Sequence, residues 1–294
     1  MQAVHLADIV TPKKLMLNGV WYGPKKARRV VILVHGLGGN MLNSFASSMA
    51  AVLTNSDTAV LSFNNRGHGL VSKAYKEAPK STKGYERITA GSVHEVFEDC
   101  VDDIDGAVKY ARAHGAKEVY LAGHSTGCQK SVYWAYKRKS AGVKGIILLA
   151  PISDYAGMRM EVGDKAITRA LSVAQKFVKA KKKHQLLPAN VWHSMIDAQR
   201  FISLYSRKGN EEIFPYWDEK RIPKALRAVR VPVLVLLAEN DEYADRKAEE
   251  LHDWFIREIY SGEVAIIPKV AHSFYTGEKM AASRIAAFMK ERYN

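Results

Sequence analysis

The 294-residue chain contains only two cysteines, Cys100 and Cys128. That is too few for a disulfide framework or a four-thiolate metal site. No uncharged apolar stretch approaches the roughly 20 residues a membrane-spanning helix needs; the best candidates, 145 to 152 and 231 to 238, have strand length. The opening MQAVHLADIV has neither the basic end nor the apolar stretch of a secretory leader. A cytoplasmic protein with reduced thiols and no membrane insertion is expected. Motifs are absent as well. There is no GxxxxGK[ST], and Gly36-Leu37-Gly38-Gly39 lacks the third glycine of a dinucleotide loop, because Met41 stands there. No H-E-x-x-H or calcium loop occurs, so the run His94, Glu95, Asp99, Asp102, Asp103, Asp105 reads as a solvated or hydrogen-bonded helix face. Neither a metal nor an organic cofactor is expected.

What is present is a globular composition, 47% hydrophobic and 25% charged. Short apolar runs recur at 29 to 36, 58 to 63, 117 to 123, 144 to 151, 231 to 239 and 263 to 269. Continuous runs of this length suit strands buried on both faces of a parallel sheet. Helical spacing separates them, over 41 to 53, 93 to 111, 126 to 138, 243 to 260 and 278 to 290. The alternation predicts an α/β fold, a mostly parallel central sheet with helices on both faces. From Pro151 to about Val229 no strong strand run appears, so an inserted helical cap is expected. The expected division is core 1–151, cap 152–229 and core 230–294.

The sharpest motif is Gly123-His124-Ser125-Thr126-Gly127, a G-x-S-x-G between a predicted strand and a predicted helix. At such an elbow the serine sits on a strained turn that lifts its hydroxyl above the sheet. A serine hydroxyl needs a base to take its proton, and the base needs an acid to orient it. Asp241 follows the strand VPVLVLLAE and His272 follows EVAIIPK, giving the order Ser, Asp, His. Glu239 and Asp245 are rivals for the acid. Acyl transfer also needs amide donors for an oxyanion; Leu37, after His35-Gly36, and Thr126, after Ser125, are the expected pair. His68, after another strand, is open to a site-shaping or a loop-stabilising role.

Together these segments resemble the α/β-hydrolase superfamily, from about residue 15 to the end. FNNRGHG (63 to 69), the run from Glu95 to Ile104 and GHSTGCQK (123 to 130) are similar to a subgroup of bacterial and fungal hydrolases that includes siderophore-ester hydrolases. The resemblance implies Ser125 as nucleophile, Asp241 as acid and His272 as base, in a serine esterase working through an acyl-enzyme. A thioesterase, lactonase, amidase or peptidase, or carbon–carbon hydrolase on the same triad stays open, because the pocket decides among them. The rival of another class is a noncatalytic binding protein with a basic cap.

Charge is the last feature. Lys and Arg number 44 against 30 Asp and Glu, a formal +14. Arg159 to Lys183 holds eight basic residues against Glu161 and Asp164. Two explanations stand: attraction of an anionic ester to the site, or a solvated face without a catalytic role. A small-molecule ester, not nucleic acid, is the expected partner; oligomeric state is undetermined.

Overall fold

The computed structural model describes residues 3–42 and 44–291. Six strands form the parallel heart of one sheet, in the order β10 (Gly262–Ile267), β9 (Val233–Ala238), β8 (Gly145–Leu149), β7 (Glu118–His124), β3 (Arg29–Val34) and β4 (Thr58–Phe63). These are the six apolar runs expected as strands. Along β3, Val30, Ile32 and Val34 enter one apolar cluster and Val31 and Leu33 the other. That period of two is what a sheet covered on both faces requires.

Helices α1 (Ser44–Leu53) and α8 (Glu278–Phe288) cover one face. Helices α2 (Cys100–Ala113), α3 (Thr126–Arg138) and α7 (Ala248–Glu258) cover the other. Beyond β4 the sheet continues antiparallel through β2 (Leu15–Tyr22), flanked by β1 (Val4–Val10), β5 (Ser72–Glu77) and β6 (Tyr85–Ala90). These four strands were not anticipated; β5 and β6, SKAYKE and YERITA, are polar and only two of their residues, Ala74 and Ala90, are buried. The helix expected over 93 to 111 begins only at Cys100, after a 3-10 turn at Phe97–Asp99.

Between β8 and β9 the chain carries α4 (Asp154–Lys179), α5 (Ala198–Tyr205) and the single turn α6 (Lys224–Arg227). Ser153 caps α4 by accepting from the Ala156 amide at 3.1 Å, and Asp197 caps α5 by accepting from Arg200 at 2.8 Å. Tyr155, Ile167, Ala170, Ala174, Trp192, Phe201 and Leu204 bury against one another as a separate apolar cluster. The aromatic richness of this segment thus builds a small core of its own. Among the described residues no helix is long and apolar enough to cross a membrane.

Candidate active site

Strand order reverses between β3 and β7, so the chain leaves their carboxyl ends in opposite directions and opens a crevice there. Gly36 follows β3 and Ser125 follows β7 at this crevice. Ser125 has φ 55° and ψ −128°, outside the regions non-glycine residues ordinarily occupy. The strain is maintained by packing that admits no side chain on either side. A Cβ at Gly123 would run into the Gly127 carbonyl, and one at Gly127 into the Val34 carbonyl. At Gly36 a Cβ would lie 2.8 Å from the Ser125 Cβ, so this glycine lets the β3 loop close on the serine. The G-x-S-x-G spacing therefore records a three-way backbone crossing.

His272 and Asp241 meet beside the serine. The His272 Nδ1 lies 2.9 and 2.8 Å from the two Asp241 carboxylate oxygens. This geometry puts the proton on Nδ1 and leaves Nε2 as the ring's free nitrogen. The rivals are occupied elsewhere: Glu239 accepts from the Lys269 amide, and Asp245 pairs with Arg246 and Arg159. Three residues that the sequence reading missed hold His272. Its amide donates to Glu242 at 2.9 Å, its carbonyl accepts from His124 Nε2 at 2.8 Å, and Tyr243 packs edge-on at 4.9 Å. Burial, with repulsion from His272, pulls the His124 pKa down to about 4. His124 is therefore a neutral strut, and the only advance signal was its place inside the elbow motif.

The turn after β3 is held in a similar way. Burial and the nearby Lys130 cation lower the His35 pKa to about 3. Neutral His35 donates from Nδ1 to the Gly36 carbonyl at 2.9 Å and accepts the Asn65 amide at Nε2, 3.1 Å away. Leu37 follows that pinned peptide. Thr126 opens α3, where first-turn amides lack intrahelical acceptors. His68 lies in the FNNRGHG loop with its Nδ1 3.0 Å from the Asn65 carbonyl, which fits the loop-stabilising alternative. Cys100 and Cys128 are buried free thiols bonded to different carbonyls.

A cavity of about 390 Å³ brings Ser125, His272, Gly36 and Leu37 together with Asp154 and Glu161 from α4. The volume suits a small molecule. Among the described residues its lining contains no Lys or Arg, and seven of the eight basic residues from Arg159 to Lys183 are solvent-exposed. Asp154 accepts from Gln129 at 2.6 Å, and burial, reinforced by Glu211 and Glu212, pushes its pKa well above the usual carboxylate range.

Behind the elbow lies a second polar cluster. Lys130 of α3 sits 2.6 Å from Glu95, Arg200 of α5 sits 3.0 Å from the other Glu95 oxygen, and Arg200 also pairs with Glu211. Burial opposes the Glu95 charge, but Lys130 and Arg200 outweigh it and hold the carboxyl below its ordinary range. The acidic run expected as one helix face disperses: His94 turns to Asp197, Glu95 to this cluster, Asp102 and Asp103 to Arg66, and Asp105 to Trp134 and Arg138.

Solved structures share this architecture at low sequence identity. Est1E from Butyrivibrio proteoclasticus, a structure with ferulic acid bound, matches with a TM-score of 0.66 at 17% identity, covering 96% of this chain and 98% of that one. The siderophore hydrolase EstB from Aspergillus fumigatus gives 0.65 at 16%, covering 97% of each. The Pyrococcus furiosus esterase Pf2001 gives 0.60 at 14%, covering 98% and 91%. The chain thus has the α/β-hydrolase fold. No curated protein matches it in sequence. Over residues 79–290 it matches a family described as protein of unknown function, DUF1749, and it belongs to that family.

Proposed function

We propose that the protein is a serine hydrolase that cleaves a carboxylic ester through an acyl-enzyme. The observation that carries this reading is the strained Ser125 sharing one cavity with a histidine whose Nδ1 is held by Asp241. In the first half-reaction Ser125 Oγ attacks the ester carbonyl while His272 Nε2 takes its proton. Asp241 keeps the imidazole in the required tautomer and stabilises the imidazolium. The developing oxyanion accepts from the Leu37 and Thr126 amides. The tetrahedral adduct collapses, the C–O bond to the alcohol breaks, and His272 returns the proton to the leaving oxygen. Water then enters, gives a proton to His272 and attacks the acyl carbonyl. Collapse of this second adduct releases the acid and restores the Ser125 hydroxyl.

Residues 152–229 act as the cap over this site, since α4 supplies Asp154, Gly157, Met158 and Glu161 to the cavity wall. Glu161, with no cation beside it in that wall among the described residues, favours neutral substrates over anionic ones, while Asp154, whose charged form burial disfavours, adds a hydrogen-bonding group. The basic stretch then belongs to the solvated outer face. A panel of p-nitrophenyl esters graded in length and charge tests the reading. Turnover with an initial burst of nitrophenol, abolished by Ser125→Ala, is expected. Equal turnover by the variant would overturn it.

A further inference from the structure

Away from the cavity, His94, His184 and Asp197 each bring one donor atom to a common point, all within 4.8 Å of one another. Asp197 Oδ2 lies 3.1 Å from His94 Nδ1 and 2.8 Å from His184 Nδ1. We propose that this trio binds one divalent transition-metal ion of the zinc type and clasps the 152–229 segment to the sheet domain. His94 comes from the loop between β6 and α2; the other two ligands come from the segment between α4 and α5.

Two imidazoles and one carboxylate form a donor set that suits zinc. Metal–ligand bonds of about 2.0 to 2.2 Å at tetrahedral angles place neighbouring donors about 3.3 to 3.6 Å apart. The His94 separation falls about 0.2 to 0.5 Å short and the His184 separation about 0.5 to 0.8 Å short, so both rings, the half-exposed His184 the more, shift outward from the carboxylate to seat the ion. The carboxylate is already aimed. Asp197 is fully buried, and its Oδ1 accepts the Arg200 amide at 2.8 Å, which leaves Oδ2 for both rings. Such a supporting bond is how a ligating carboxylate is oriented.

The backbone brings the histidines to it. The Asp197 amide donates to the Val93 carbonyl at 3.1 Å, next to His94, while Ala198 and Gln199 donate to Gln185 and Lys183 at 2.9 Å, on either side of His184. His184 is 48% exposed and His94 21%, so an ion has a route in and water completes its shell. The sequence reading expected no metal because His94 was grouped with its acidic neighbours, none of which joins this trio.

The competing arrangement is two imidazole N–H groups donating to one carboxylate oxygen, and cobalt separates the two. Co²⁺ titrated into tag-free, chelator-stripped protein should bind at one equivalent, with the intense visible bands of a tetrahedral N/O shell, and Zn²⁺ should displace it. Zn²⁺ should also raise the Tm. His184→Ala, which removes a half-exposed ring, should weaken binding at least about 100-fold and abolish the Tm rise; His94→Ala should do the same. His252→Ala, a control on α7, should change neither. Absence of saturable one-equivalent uptake, or uptake indifferent to both His184→Ala and His94→Ala, would overturn the proposal.

Discussion

Two buried polar clusters hang on the first turns of α3, and they differ in what surrounds them. At the head of the helix, Ser125 occupies strained backbone and faces empty volume beside the His272–Asp241 pair. One turn further on, Lys130 is sealed among Glu95, Arg200 and Glu211, two bases against two acids with no side-chain exposure above 1%. Buried charge alone therefore does not mark a reactive site. What sets the first cluster apart is a serine hydroxyl in forced geometry beside a cavity of small-molecule size. The second closes on itself and ties the 152–229 segment to the sheet domain, a role for which balanced charge and full burial are what matter.

Substitutions should pull these roles apart. The largest effect is expected from Asp241→Asn, which retains shape but inverts the hydrogen bond to His272. Ester turnover should fall on the order of 10⁴-fold while the melting temperature stays near wild type. Glu239→Gln and Asp245→Asn should cost far less; a comparable loss from either would move the acid. At the sealed cluster the pattern should reverse. Arg200→Leu leaves Glu95 and Glu211 short of a cation and should destabilise by about 3–5 kcal/mol in denaturant unfolding, with activity per folded molecule largely kept. If turnover collapses while stability holds, the second cluster belongs to the chemistry.

A smaller effect comes from Glu212, which accepts from Ser153 at 2.9 Å and from Trp217 at 3.1 Å. Burial raises its pKa from 4.5 to about 7. The folded state then keeps a proton that the unfolded chain has lost. The stability this provides is complete below pH 4.5, declines as pH rises and is gone above about 7. Glu212→Gln mimics the protonated form. Its stability relative to wild type should increase across that window by up to about 3 kcal/mol and then level off. A difference that does not vary with pH would refute the assignment. The smallest effect concerns the cavity wall: Glu161→Gln should improve kcat/KM for an anionic ester over a neutral one by about 2- to 5-fold at low salt, and the gain should shrink as salt is added. No change in that ratio would remove Glu161 from substrate selection.

How much of this was legible in the sequence follows from range. The six parallel strands were visible because burial on both faces forces unbroken apolar runs. Ser125, Asp241 and His272 each follow one of those runs, so their chain order could be read directly. The antiparallel edge was not visible, because β5 and β6 are polar and pair only with each other and with the end of β2. Glu95 could not be distinguished from its acidic neighbours, since Lys130 and Arg200, the cations that permit its burial, are remote in sequence. The basic stretch illustrates the same limit: composition located it on the inserted segment, but only the folded arrangement shows that seven of its eight cations face solvent while Asp154 and Glu161 line the cavity.

An activated serine at position 125 would react covalently with an electrophilic phosphonate. Treated with a fluorophosphonate, the protein should gain the mass of one phosphonyl group, mapped by peptide sequencing to Ser125. His272→Ala should react far more slowly, and Ser125→Ala not at all. A folded wild-type protein that takes up no phosphonyl group, or takes it up equally with Ser125 replaced, would show that Ser125 is not the nucleophile.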